Sequence, residues 1–479
     1  MLSGCAVGPD FQIPLPPGVS RYLPVGRASG PAGEQVPGQK VVHGADIPER
    51  WWELFHSRHL NELITQGVIH NTDLQAAEAA VRAAQASALA SRGALFPVIT
   101  GDANRTREKT PLGSLSAASA SGASIFSLYT AQLTVSFVPD VFGGTRRGIE
   151  SADALAEAQA FQREAVYLTL TANIANAAIQ EAAIRGQLAA TRKVIGLQTR
   201  LLGILRLQYD KGQIALIDVV TQETAVAQAK LLLPPLEKQL AQQRDLLAFL
   251  TGRFPAEDIA ATFQLASFRL PRRLPLSVPA DLVRQRPDVR VAEANLHSAS
   301  AQIGVAIANR LPKITISGDI GSTANALSKL FSPGTGFWMI ASDAAQTVFD
   351  AGTLYNKQRA AEETFTQITA QYRTTVLTAF QNVADTLRAL QADARAVSAA
   401  IAAEQSAQRN IDLVSKQVEE GQVSIPVLIN AQQAYLVTLL ARVQADANRL
   451  ADTVALFQAL GGGWWNRVPP LSSGTDVIR

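Results

Sequence analysis

Cys5 is the only cysteine in the chain, and Leu2-Ser3-Gly4 place small residues directly before it. A lone thiol makes no intramolecular disulfide. In this setting it matches the bacterial lipoprotein box, in which the thiol takes up a diacylglycerol, a palmitate joins the new amino terminus, and the preceding residues are removed. The charged and apolar regions of a signal peptide do not precede the box, so the expected start is one that is trimmed or misassigned. Acyl chains hold a bilayer through their buried methylenes, which makes Cys5 an anchor. Other patterns carry less. His56 and His59 form an H-x-x-H pair, but the remaining histidines are scattered and no second cysteine joins them, so no metal site is expected. No glycine-rich loop follows a strand and opens a helix, and no nucleophile lies in a catalytic setting. The expectation is a chain that is not an enzyme and uses no cofactor beyond its lipid.

The elements that position these residues are written twice. Leu95-Phe96-Pro97 returns as Arg310-Leu311-Pro312, Val141-Phe142-Gly143 as Val348-Phe349-Asp350, Lys211-Gly212-Gln213-Ile214 as Glu420-Gly421-Gln422-Val423, and Leu250-Thr251-Gly252 as Leu460-Gly461-Gly462, each about 210 residues on. Eight of the 23 prolines lie in residues 1–48, which reads as an extended arm, and none lies between Asp140 and Leu233 or between Gly334 and Ile425. Those two stretches read as uninterrupted helix. In the second, Phe365, Ile368, Tyr372, Val376, Phe380, Val383, Leu387, Leu390, Val397 and Ile401 recur at helical spacing, with Ala394 filling one gap, and make a single buried stripe. From Gly352 to the Gly421 tip such a helix runs roughly 100 Å. Each half also holds a shorter helix, Asp73 to Leu95 and Asp288 to Arg310, and a return limb in which Pro234-Pro235 should kink the first copy.

Between short and long helix the period changes to two. Tyr129, Ala131, Leu133, Val135 and Phe137 alternate with Thr130, Gln132, Thr134 and Ser136, and Ile314, Ile316, Gly318 and Ile320 alternate with Thr315, Ser317 and Asp319. Partner strands are expected at 98–107 and 337–348, joined by loops 108–127 and 321–336. Tyr129 and Trp338 near the strand ends suit an interfacial girdle, whereas Trp464 and Trp465, like the histidine pair after Trp51-Trp52, suit packing in a belt around the middle. Strands of about ten residues cross a bilayer when tilted. Lipid tolerates strands only in a closed barrel, and four strands cannot close one, so the chain must pool them with symmetry copies. Counting allows two copies or more. A helical bundle with two exposed hairpins would also alternate, and that reading stays open.

Composition agrees with long helices packed side by side. Only 6% of residues are aromatic, alanine is abundant, and the formal charge of +3 is spread among acids and glutamines, which speaks against a nucleic-acid stripe. No stretch of 18 or more residues is continuously apolar, so a single-helix span is not expected.

In order and spacing, Cys5 with Gly8-Pro9-Asp10-Phe11, Trp51-Trp52-Glu53-Leu54-Phe55, Asn71-Thr72-Asp73-Leu74, Leu95-Phe96-Pro97, Asp140-Val141-Phe142-Gly143, Arg286-Pro287-Asp288-Val289, Ile303-Gly304-Val305 and Ala431-Gln432 resemble the outer-membrane efflux proteins of Gram-negative bacteria, which are TolC-like, in their NodT-type lipoprotein branch. The resemblance implies a mixed α and β membrane protein. Its duplicated repeat would give a shared trimeric 12-stranded transmembrane β-barrel plus a long periplasmic α-helical barrel. It also implies a homotrimer in outer-membrane lipid that meets a periplasmic membrane-fusion adaptor and an inner-membrane RND transporter and passively conducts exported compounds. Alternatives kept open are the duct of an ABC-driven type I secretion system and a non-conducting periplasmic scaffold. The lipoprotein box and the arm favour the RND role.

On the same resemblance, adaptor tips dock beside Tyr209, Lys211 and Gly212 and beside Glu420, Gly421 and Gln422. The periplasmic gate lies past the second tip, where Pro426 opens the return helix. The family commonly carries an aspartate there and an arginine three residues later, and Asn430 and Gln433 occupy those places here. A carboxylate ring would then be missing. Asp218 keeps the corresponding place after the first tip, and it reads equally as a solvated helix-start acid. The expected division is residues 1–72 for the lipidated arm and equatorial segment and 73–287 for the first repeat, with hairpin 97–138, tip near 212, return helix to 250 and an equatorial segment. The second repeat follows at 288–461 with hairpin 312–349 and tip near 421, then an equatorial tail at 462–479.

Overall fold

The computed structural model describes residues 6–24, 36–109 and 125–467. Its longest elements are α3 (Gly144–Asp210) and α8 (Thr353–Glu419), each of 67 residues. Both start on an aspartate that follows a hairpin. Asp140 accepts the Thr145 and Arg146 N–H groups at 3.0 and 2.9 Å, and Asp350 accepts those of Gly352 and Leu354 at 2.9 and 2.8 Å. A carboxylate at this place satisfies donors that the first helical turn leaves free and suits the positive end of the helix dipole. Tyr372, Val376, Val383, Leu387, Leu390, Ala394 and Val397 are buried, so α8 carries the single stripe read from its sequence.

The first return limb is two helices, α4 (Leu216–Lys230) and α5 (Leu233–Leu250), and the second is one, α9 (Ile425–Ala459). The interruption at Leu231–Leu232 falls just before Pro234-Pro235, whose rings cannot continue the preceding turn. The short helices are α2 (Thr72–Arg92) and α7 (Pro287–Ala308). Asn71 starts α2 by accepting the Leu74 N–H at 3.0 Å while its own amide reaches the Leu250 carbonyl at 3.1 Å. Residues Gly93–Leu95 tighten into a 3₁₀ turn, so α2 stops short of the expected Leu95.

The chain divides into two compact units, and both repeats contribute to each. One unit, with Val81–Gln159 and Ala292–Tyr372, holds an antiparallel sheet in the order β2 (Val98–Lys109), β3 (Ile125–Phe137), β5 (Lys313–Ala324), β6 (Gly336–Ala345). β5 runs on to Ala324, past the expected loop start at 321. Thr323 donates its N–H to the Thr335 carbonyl at 2.9 Å and the Ser322 and Thr335 hydroxyls meet at 2.7 Å, which extends the ladder through small residues. β6 ends at Ala345 rather than 348.

The other unit contains elements whose short runs carry little periodicity. They are the parallel pair β1 (Lys40–His43) and β4 (Arg273–Leu276), with α1 (Arg58–His70) and α6 (Pro279–Gln285). Its core includes Trp51 stacked on Phe457 with ring centroids 5.4 Å apart. Trp464 donates to the Gln285 carbonyl at 2.7 Å and Trp465 to Asp46 at 2.9 Å, so both pack within this unit. Glu181, fully buried, accepts Arg185 at 2.8 Å, Arg244 at 3.0 Å and the Phe263 N–H at 2.9 Å. No charge periodicity announces this cluster around a buried carboxylate.

Candidate functional site

The register of the sheet sorts its side chains by face. Gly101, Leu133, Ile320 and Trp338 form one row across four strands, and Thr100, Thr134, Asp319 and Met339 form the next. Successive residues in a strand point to opposite sides. One face therefore carries Tyr129, Leu133, Val135, Ile316, Ile320, Trp338 and Ile340, and the other carries Asp102, Gln132, Thr134, Ser317, Asp319 and Asp343, with Phe126, Leu128, Phe337 and Met339 toward the far strand ends. The polar face is cross-linked: Thr134 donates to Asp319 at 2.6 Å, and Thr130 and Thr323 meet at 3.2 Å. Leu133, Ile320, Trp338 and Ile340 stand exposed in the single chain, and β2 and β6 are unpaired outer edges.

The two tips share one geometry. At the first, the Gln213 N–H bonds to the Gln208 carbonyl at 2.9 Å and the Gly212 N–H to Tyr209 at 2.7 Å. At the second, Gln422 bonds to Gln417 at 2.8 Å and Gly421 to Val418 at 3.1 Å. This paired closure needs a left-handed residue after the helix, and both glycines sit at φ +72°. Tyr209, Lys211, Glu420 and Gln422 are exposed around the turns, and Gln422 donates to Glu420 at 2.6 Å. Below the turns one apolar cluster joins four helix ends: Leu202 and Leu205 from α3, Val219 and Val226 from α4, Ile411 and Val414 from α8, and Leu428 and Tyr435 from α9.

Past the second tip, Val427, Asn430, Gln433 and Val437 are exposed along one side of α9, while Leu428, Ala431, Gln432 and Tyr435 are buried on the other. Pro426 sits exposed in the first turn, where a missing N–H costs little. The expectation that Asp218 matches Asn430 is corrected here. α4 begins at Leu216 and α9 at Ile425, so Asp218 is the third residue of its helix and pairs with Val427, whereas Asn430 is the sixth and pairs with Thr221. The matching tips fix this register. Asp218 therefore lies about 4.5 Å nearer its tip than Asn430 does. It is half-buried in the first turn of α4, where the helix dipole favours an acid.

Farther along these helices, Asp393 of α8 hydrogen-bonds to Asp452 of α9. Burial, then that bond, then the neighbouring negative charge push the Asp393 carboxyl up to about 7. Nothing in the local sequence marks the pair, because the two aspartates meet only through helix packing.

Cys5 lies outside the described residues, but the segment after it is firmly held. Val7 donates its N–H to the Phe142 carbonyl at 3.0 Å, and Arg147 reaches Asp10 and Glu150 at 2.7 Å each. Phe11 stacks on His297 at 4.4 Å, and His297 bonds to Glu150 at 2.9 Å. Gly8 crosses Gly304 so closely that an added Cβ would lie 2.4 Å from its Cα. The Gly-Pro-Asp-Phe run thus docks beside the exit of the first hairpin. His56 and His59 are exposed, and no cluster of three or more metal-ligating side chains occurs among the described residues.

Residues 63–253 and 278–462 match the outer membrane efflux protein family, and the chain belongs to it. It is 30% identical over 439 residues to the pyoverdine export outer membrane protein OpmQ of Pseudomonas putida, covering 91% of this chain and 92% of that one. Among solved structures, the outer-membrane channel OprN superposes with a TM-score of 0.86 at 25% identity, covering 96% of this chain and all of that one. The Campylobacter jejuni CmeC outer membrane channel superposes with a TM-score of 0.87 at 20% identity, with 96% and 95% covered. The chain is an outer-membrane efflux channel protein and not an enzyme.

Proposed function

We propose that three copies of the chain close their 4-stranded sheets into one twelve-stranded barrel, continued in the periplasm by a tunnel of the long helices. The observation that carries this is the sorted sheet. Its apolar face suits lipid and its polar face suits a water-filled lumen, while the free edges of β2 and β6 would strand backbone donors and acceptors in lipid unless another copy paired with them. Cys5 adds an acyl anchor beside the barrel.

The barrel serves as the passive exit of a tripartite RND efflux system. Tyr209, Lys211 and Gly212 at one tip and Glu420, Gly421 and Gln422 at the other form the docking surface for the adaptor, and energy comes from the inner-membrane pump. The exposed side of α9 at Pro426, Asn430 and Gln433 lines the periplasmic constriction, with Asp218 closer to the tip. With an amide at Asn430, no carboxylate ring stands at that level. Asn430→Asp should therefore raise cation selectivity, and an unchanged reversal potential would remove Asn430 from the constriction. Planar-bilayer recording tests the reading as a whole: a conduit gives discrete conductance steps, and a scaffold passes no current.

A further inference from the structure

The acids of the sheet keep to one face, which also carries Lys313 of β5. All four acids of its strands, Asp102, Glu108, Asp319 and Asp343, lie on the polar face. Three cations of β2 lie on the other. Arg105 is opposite Tyr129, Arg107 opposite Ser127 and Lys109 opposite Ile125, so they share the face of Leu133, Val135 and Ile320. All three are exposed, and neither Arg107 nor Lys109 forms an ion pair with another described residue. The Arg105 guanidinium rests over the Tyr129 ring, 5.5 Å from its centroid.

Height along the strand gives this arrangement meaning, on the barrel reading proposed above. β2 begins at Val98 on the helix side and ends at Lys109, the far end of the strand, which is extracellular on that reading. At about 3.3 Å per residue and about 40° of tilt, the three cations rise roughly 18, 23 and 28 Å above Val98. The apolar band of such a barrel is about 25 Å tall, so they straddle its outer boundary. A lysine or arginine on the lipid face costs about 2–4 kcal/mol at the midplane but about 1 or less at the interface, where its head can reach upward to an anion. Tyr129 at the same level suits an interfacial ring with one wet end. Guanidinium groups bind phosphate through paired N–H donors, and side chains two apart on one strand face are about 6.7 Å apart, the spacing of a multidentate site.

We infer that Arg105, Arg107 and Lys109 form a binding site for the phosphate groups of a phosphorylated glycolipid in the outer leaflet. The site would ring the barrel once per subunit and fix its depth.

The test uses the full, lipid-modified channel extracted in mild detergent and returned to vesicles. Probes are bisphosphorylated lipid A, its dephosphorylated analogue, and inorganic phosphate as competitor, with bound lipid counted by native mass spectrometry. The wild type should retain lipid A about tenfold or more over the dephosphorylated form. The triple variant R105Q/R107Q/K109Q should lose that preference, Glu108→Gln on the opposite face should keep it, and inorganic phosphate should not displace the lipid. Equal retention by the triple variant, or displacement by inorganic phosphate, overturns the site. Conductance is recorded on the same samples. A triple variant that conducts yet keeps its lipid preference defeats this inference alone, whereas absence of current from the wild type defeats the barrel reading and this inference with it.

Discussion

Leu133 and Thr134 are neighbours in β3 that the register assigns to opposite faces, so one charge placed at each in turn separates lipid from lumen. Leu133 lies four residues before the inner end of β3 at Phe137. At about 3.3 Å per residue and about 40° of tilt it stands roughly 10 Å above that end, close to the middle of an apolar band about 25 Å tall. A lysine there should cost about 2–4 kcal/mol per subunit, or about 6–12 kcal/mol for a channel of three. Thr134→Lys loses the 2.6 Å hydroxyl bond to Asp319 but sets the ammonium beside that carboxylate in water. Because the new ion pair offsets the lost bond, its cost should be about 1 kcal/mol or less. Denaturant unfolding of the vesicle-inserted channel, followed by tryptophan fluorescence, measures both. The assignment of faces fails if Thr134→Lys destabilises as much as Leu133→Lys, or if Leu133→Lys lies within about 0.5 kcal/mol of the wild type.

Three further outcomes follow from the helical part. Glu181→Ala removes the buried carboxylate that Arg185 and Arg244 share, but both guanidiniums reach solvent and Arg244 keeps Asp258, so the cost in denaturant unfolding should be about 1–3 kcal/mol. Gly212→Ala and Gly421→Ala each force a side chain into φ +72°, and because a Cβ at either would meet nothing within 4 Å, the cost is backbone strain alone, roughly 1–2 kcal/mol, seen as a lower thermal midpoint. The Asp393 carboxyl is raised from 3.8 to about 7, so between those values the folded state holds more protons than the unfolded one. Stability from this pair should therefore be present at low pH and be lost as pH rises through about 7, and the thermal midpoint of Asp393→Asn should show less of that decline.

Much of this architecture was legible because it is periodic. The long helices, the hairpins and the proline-dictated break before α5 follow from spacing that one residue type enforces over many turns or rungs. The tips were legible because only glycine takes a left-handed turn without strain, and it recurs at Gly212 and Gly421. Elements without a period were not legible: the β1–β4 pair, α1 and α6 are set by contacts between distant segments. The same holds for Glu181 with Arg244 and for Asp393 with Asp452, which come together only when helices pack. Asp218 shows the finer limit. An acid after a tip looked equivalent to Asn430, but a displacement of three residues places it nearly one turn away.

Native mass of the channel extracted from the outer membrane tests the pooled barrel most directly. The account predicts a detergent-stable particle of three lipid-modified chains, each close to the 51.0 kDa of the full sequence, that gives conductance steps on insertion. A stable single chain in detergent-free buffer, with the apolar face of its sheet covered by its own residues, would contradict it.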